Sequence, residues 1–483
     1  MREKRCKVLI VGAGIAGLTA AKTLVEEDLH DFLIIEPRDY LGGRVAAVEF
    51  ADHTFPIGPA FLHGLKLNPL AEIAKDLGLL SYPDHFSKSC DNNKYKLICR
   101  SLVTGSEVTA NYRQARGKFD VANKDLMDLY SRMDSISLME DSFFNDDNDE
   151  VLEKSLESCG WKSATAAERL VENLFIDIAS GGSASHFSTK AYLAFDALYE
   201  LDDVPRDSYL LDGEAFKKCV HEIARRANLF STNEEKLLLN VSCKCIDYSS
   251  GDSVLVTLSD GQLIHANHVI VTVPCHLLLP QNGPMINFVP PLTEQKISAF
   301  SKVRYSNYQR IFVQFESVFW DDDHSVILVA NDTEEALKQD FSDPLHPSKF
   351  CCYWQNAHYL YRLSGVAEPP KVLIAHVTGD WATKTLQMTK QELISKLLKF
   401  FSSLYKTQVE IKDVLVASWA QDPYARGSFA YFTAPLKRQD VDALKRSIDN
   451  RIHFAGDAFD LRCAGASQSA YFSGIRAAEN ASI

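Results

Sequence analysis

The sequence has no Cys-x-x-Cys pair, and its 11 cysteines form an odd set scattered from Cys6 to Cys463. Neither the Cys243/Cys245 spacing nor the adjacent Cys351–Cys352 suits a zinc site or a disulfide framework. Free, mostly buried thiols in a reducing compartment are expected instead. The 14 histidines show no metal-ligand spacing, so no metal is expected. No apolar run reaches the roughly 18 residues that a membrane-spanning helix requires. Basic residues are scarce, 51 Lys and Arg against 64 Asp and Glu, and the net charge of −13 argues against a nucleic-acid backbone as partner. With 23 glycines and 17 prolines in 483 residues, low complexity is excluded too. What remains is an ordinary globular composition, 46% hydrophobic and 24% charged, with length for two or three domains. The C-terminal Asn480-Ala481-Ser482-Ile483 matches no retention or peroxisomal address, which leaves a cytoplasmic location as the default.

The first forty residues are the most informative. Their charged start and apolar continuation look superficially like a signal peptide, but Gly12, Gly14 and Gly17 punctuate the apolar stretch. Lys7–Val11 reads as a buried strand that runs into Gly12-Ala13-Gly14-Ile15-Ala16-Gly17 and then a helical stretch, Leu18–Glu26. Gly12 suits a tight turn, Gly14 lets the backbone approach a pyrophosphate, and Gly17 lets helix and strand pack closely. The helix N-terminus offers unpaired N–H groups to phosphates. A second strand, Asp31–Ile35, ends at Glu36, placed to accept hydrogen bonds from a ribose diol. Together these features predict a dinucleotide site.

The continuation Glu36-Pro37-Arg38-Asp39-Tyr40-Leu41-Gly42-Gly43-Arg44 goes beyond what nicotinamide-dependent dehydrogenases need. It resembles the flavin-containing amine oxidases, in which the arginines and the Gly-Gly turn hold FAD phosphates; surface salt bridging is the alternative for Arg38 and Arg44. Later segments resemble the same family, in the same order. Gly58-Pro59-Ala60-Phe61-Leu62-His63-Gly64 with Asn68-Pro69 is similar to the segment beside the flavin. Val241–Ile246, Val254–Leu258 and Val269–Pro274 follow a second FAD-binding stretch, and Trp419, Pro423, Gly427 and Phe429 fit a tryptophan-plus-glycine loop. Phe454-Ala455-Gly456-Asp457, Gly465-Ala466-Ser467 and the helical tail to Ala478 resemble the closing flavin motif. In motifs the chain is most similar to polyamine oxidases.

The resemblance implies an α/β fold: a discontinuous Rossmann-like FAD-binding domain (1–75, 205–285 and 412–483) and a mixed α+β substrate domain (76–204 and 286–411). The residues themselves agree. Strand-like and helix-like runs alternate in the first set. In the second, Phe119, Ala122, Leu126, Leu129, Tyr130 and Met133 recur near a 3.6 period as one buried stripe. Asp146-Asp147-Asn148-Asp149-Glu150 lacks the glycine and distal glutamate of a calcium loop and reads as a solvated surface loop. Strands are expected over Arg310–Phe315, Ser325–Ala330 and Lys371–Thr378, and a helix from Lys390 capped by Thr389 with Glu392.

The implied reaction is hydride transfer from the α-carbon of a neutral amine to flavin N5, giving an imine that water hydrolyses, with dioxygen as the final acceptor. An FAD-binding relative with lost or altered oxidase activity, or an oxidase of another amine or amino acid, is the alternative. The partner is a small amine, a polyamine in the closest resemblance. Four positions define the reacting end. His63 either orients the amine or is a structural histidine in a glycine-rich turn. Phe429 is one wall of the amine site, and Ala466 stands where a tyrosine is common, leaving the second wall open. Asn287-Phe288-Val289-Pro290-Pro291-Leu292 aligns with a segment in which many members carry a lysine near flavin N5; that position is Val289, which has no donor. Lys296 and Lys302 then read as surface helix residues. Asp457 replaces the usual glutamate at the ribityl chain. Ser428 stands where some members tether the flavin through cysteine, so the FAD is expected to be noncovalent.

Overall fold

The N-terminal run forms the strand Glu3–Val11, fully buried from Val8 onward as expected of a strand covered on both faces. It continues through the glycine turn into the helix Ile15–Glu26 and the strand Phe32–Ile35, the order the motif predicts. In this computed structural model, residues 3–83, 96–134, 148–200, 207–230, 236–251 and 253–482 are described. Glu3–Val11 pairs in parallel with Phe32–Ile35 on one side and Leu263–Val271 on the other. Beyond these lie Val254–Leu258, Cys243–Asp247 and Asn287–Val289, while Leu237–Leu238 closes the opposite edge. Ile452–Phe454 pairs in parallel with the C-terminal half of Leu263–Val271, so one sheet draws on the start, middle and end of the chain. The last helix, Ser467–Ser482, packs on Ile15–Glu26. A Cβ at Gly474 would stand 2.4 Å from the Ala16 carbonyl oxygen, so only glycine allows this backbone contact.

A second, six-stranded sheet runs Ile411–Ser418, Tyr308–Phe315, Val372–Thr378, Tyr353–Asn356, Val326–Ala330, Leu97–Ser101. Strand alternation divides its residues. Ile311, Val313, Phe315, Leu373 and Ala375 join a core with Leu393, Leu397 and Phe401 of the helix Lys390–Tyr405, which starts in the expected Thr389/Glu392 capping box. Phe312, Val372 and Ile374 face the other way, toward Phe50 and Phe55. On that same face Tyr308, Arg310 and His376 reach a cavity between the sheets. The architecture is α/β, with a Rossmann-like parallel core and a mixed second layer. Two strands fall across the expected boundaries: Asn287–Val289 lies in the first sheet and Ile411–Ser418 in the second.

Two further readings need correction. On the helix Thr109–Asp134, Phe119, Ala122, Leu126 and Tyr130 are buried, but Leu129 is 44% exposed and Met127 takes its place in the core; the Met133 side chain lies outside the described residues. In the acidic run, Asp146 and Asp147 lie outside the described residues, and Asp149 is buried rather than solvated. Its carboxylate accepts the backbone N–H groups of Lys190 and Leu436, and burial raises its pKa above the usual carboxylate range. The described cysteines are free and mostly buried. Among the described residues no helix is long and apolar enough to cross a membrane.

Candidate active site

A cavity of about 390 Å3 opens between the sheets, walled by both ends of the chain. At one end Glu36 anchors the glycine turn: one carboxylate oxygen accepts the Ala13 N–H at 2.8 Å and the other the Arg38 N–H at 3.1 Å. Burial pushes this carboxyl above its ordinary range, and the two N–H groups and Arg38 partly offset that. Arg38 also donates to Asp422 at 2.7 Å, with its guanidinium near the Tyr424 ring. Gly12, Gly14, Ile15, Ala16, Pro37, Gly42 and Gly43 complete this end of the wall. Gly17 lies behind it, against the strand, and Val241 is held beside it by an N–H bond to the Glu36 carbonyl at 3.1 Å.

The middle of the cavity is where the chain's two ends meet. Arg44 grips Asp457 through both terminal nitrogens at 2.9 and 2.7 Å and donates to the Ser428 carbonyl at 2.7 Å. Asp457 also accepts the Ala430 N–H and the Tyr305 hydroxyl, so its four hydrogen bonds go to protein groups. Gly58, Pro59, Ala60, Phe61, Pro274, Trp419, Gly456 and Gly465 line the same stretch, and the Trp419 indole donates to the Ile57 carbonyl at 3.0 Å. Ser467 opens the last helix in the cavity wall, and its hydroxyl oxygen is buried without a partner. A helix N-terminus and an orphaned hydroxyl at one spot fit a polar heteroaromatic edge. The donor set as a whole fits a dinucleotide: an acid behind a glycine turn with Arg38 beside it, Arg44 at mid-length and this polar end.

At the far end the strand Phe61–His63 pairs with Asp207–Leu210, which sets His63 directly opposite Asp207. The imidazole Nδ1 lies 3.0 Å from one Asp207 oxygen, and the Gly64 N–H reaches the other. Phe429 packs 5.6 Å from Tyr308, whose hydroxyl bonds to His376, and Ala466 lines the same cavity. Arg310 is buried here, donating to the Pro56 carbonyl at 2.7 Å, while its Nε has no partner.

The sequence pattern of flavin-containing amine oxidoreductases matches residues 15–482, nearly the entire chain. The chain belongs to this family. As such it is a flavoprotein, with FAD the cofactor that the cavity fits. It is 26% identical over 493 residues to lysine-specific histone demethylase 1 homolog 3 of Oryza sativa subsp. indica, an alignment covering 99% of the chain but 54% of that protein. It is also 26% identical to polyamine oxidase 6 of Oryza sativa subsp. japonica, covering 98% and 90%. The chain thus spans about half the length of the demethylases it matches. A solved putrescine oxidase with bound putrescine superposes with a TM-score of 0.74 at 17% identity, covering 99% of each chain, and shares its fold.

In this member of the family the structure brings His63, Phe429 and Ala466 to one cavity but leaves Val289 out. Val289 ends the edge strand Asn287–Val289, pairs with Asp247, and its carbonyl accepts the Tyr248 N–H at 2.7 Å. The second sheet does bring a cation to this wall: Arg310, on the next long strand. Its signal in the sequence was a lone charge at an inward position of Tyr308–Phe315, a strand otherwise apolar or uncharged. Asp207 carried a similar signal, an acid opening a fully buried strand. Lys296 is not a surface residue either. It is buried and donates to the carbonyls of Ala443, Leu444 and Arg446, and burial lowers its pKa to about 7. Val289→Lys is therefore expected to leave flavin reduction and reoxidation within about twofold of wild type, since this half-buried edge-strand residue does not line the cavity. Stopped-flow absorbance checks this; a clear change in reoxidation rate would return Val289 to the site.

Proposed function

We propose that the protein oxidises an amine at a C–N bond, with FAD held noncovalently along the first sheet and the amine between the glycine-rich wall and the second sheet. The observation that carries this reading is the Arg44–Asp457 pair, which joins the two flavin motifs across 413 residues at one cavity. FAD bound there supplies the acceptor for the substrate's hydride. The chain's own residues bind and orient. Arg38, Arg44 and the N-terminus of Ile15–Glu26 offer positive charge to phosphates. Ser428 presents a hydroxyl where a tether would need a thiol. Phe61, Tyr308, Phe429 and Tyr431 give the amine an aromatic enclosure suited to an ammonium-bearing chain. Asp196 and Asp207 in the same wall, with the likeness to polyamine oxidase 6, support a polyamine as substrate and dioxygen as final acceptor. The buried free thiols support a cytoplasmic setting.

Purified protein is expected to be yellow and to release its flavin on acid precipitation. Anaerobic addition of spermine, spermidine or their acetylated forms should bleach the oxidised-flavin band, and air should restore it with peroxide release. A band that persists across a wide amine panel would overturn the amine assignment.

A further inference from the structure

We propose that His63 and Asp207 form a dyad that takes the proton from the substrate's ammonium group. His63 Nε2 is the acceptor and Asp207 the positioning residue; the inference rests on the amine-oxidation reading above. An alkylammonium with a pKa of about 10 is charged at neutral pH. Hydride leaves its α-carbon only when the nitrogen has a lone pair to form the C=N bond, so a proton must depart first. In the balanced step the N–H bond breaks and its proton passes to Nε2. The freed pair can then form C=N as the α-carbon gives up hydride with both electrons, for which FAD held by this cavity would be the acceptor.

The groups facing this end of the cavity are Asp207 on the paired strand, Asp196 on the helix Thr189–Glu200, Arg116 on Thr109–Asp134, and Arg310 and His376 on the second sheet. Arginines do not accept protons at working pH. Asp196 accepts the Asn123 amide at 2.8 Å, and His376 is bonded to Tyr308. His63 is held more firmly than packing alone requires. Its carbonyl accepts the side-chain amides of Asn68 and Gln468, each at 2.9 Å, and Gln468 follows Ser467 at the start of the last helix. Its ring lies against Phe61 and edge-on to Phe195, and its side chain keeps 32% exposure. An ionised carboxylate accepts only, so Asp207 fixes the proton on Nδ1 and leaves the lone pair on Nε2. The carboxylate then stabilises the imidazolium that forms.

The test uses the FAD-loaded full chain with Asp207→Asn and His63→Gln, following anaerobic flavin reduction by spermine and N1-acetylspermine from pH 6 to 10. Asp207→Asn should slow the limiting reduction by about tenfold with little change in amine affinity, and His63→Gln by about 100-fold. Asp207→Asn should also move the low-pH limb of the profile to lower pH, because the charge that favours the imidazolium is gone. Without any amine, nitrogen NMR of 15N-histidine-labelled protein should show the His63 Nδ1–H form in wild type and its loss in Asp207→Asn. Wild-type rates with an unmoved pH profile, or an unchanged tautomer, would overturn the dyad while amine oxidation stands. Should Asp207→Asn not fold, His63→Gln decides, since wild-type rates there are fatal to the proposal. Failure of every amine to reduce the wild-type flavin would remove the underlying reading, and the dyad with it.

Discussion

Replacing Arg44 with methionine is expected to cost the folded state about 3–5 kcal/mol and to yield protein without flavin. Asp457 is only 5% exposed, and its strongest partner is the two-pronged Arg44 guanidinium. Burial alone would lower the Arg44 pKa, but the Asp457 carboxylate more than offsets it, so the guanidinium is held charged. Methionine fills much of the volume yet leaves a buried carboxylate with only the Ala430 N–H and the Tyr305 hydroxyl. The penalty comes from the abandoned charge rather than from the lost attraction. A second change separates the two. Asp457→Asn in the Arg44→Met background removes the stranded charge and should restore a large part of the stability without restoring flavin. Unfolding midpoints and the flavin absorbance of the purified variants read both effects. An unchanged midpoint in Arg44→Met would show that the pair contributes nothing to joining the chain's ends.

The strand, turn, helix and acid of the first forty residues were legible because their spacing is local and each residue type has a backbone reason to be there. The partners of those residues were not. Arg44 meets an acid 413 positions away, His63 one 144 positions away, and Lys296 caps a helix end about 150 positions later. Hydrophobic periodicity is silent about pairings of that range, because it records which face of an element is buried and not what covers it. Val289 shows the same limit. Asn287–Val289 was read only by its likeness to a lysine-bearing segment, and only the pairing with Cys243–Asp247 sends it to the edge of the sheet that carries the glycine turn, leaving Arg310 on Tyr308–Phe315 to face the cavity. Asp149 was read from its acidic neighbours, yet its role follows from two backbone N–H groups, one of them 287 residues further on.

Gly17→Ala sets two general effects against each other, and close packing should win. Alanine in place of a helical glycine ordinarily stabilises by about 0.5–1 kcal/mol. At Gly17, however, the added Cβ would stand 1.9 Å from the Gly12 carbonyl oxygen and 3.2 Å from the Ile10 side chain. The first neighbour is backbone and cannot rotate away, so the helix Ile15–Glu26 must lift from the strand Glu3–Val11. Lifting it disturbs the Ala13 N–H bond to Glu36 and the Gly474 contact at Ala16, both made by the same helix entry. A net loss of about 1–3 kcal/mol is expected, with weaker flavin retention. Gly117 is the matched comparison: it lies within Thr109–Asp134, and a Cβ there meets nothing within 4 Å. Gly117→Ala should raise the unfolding midpoint and leave the flavin in place, while Gly17→Ala should lower both midpoint and flavin content. If Gly17→Ala raises the midpoint as Gly117→Ala does, helix propensity governs both sites. Close helix–strand packing would then not be what positions the cavity wall for a dinucleotide.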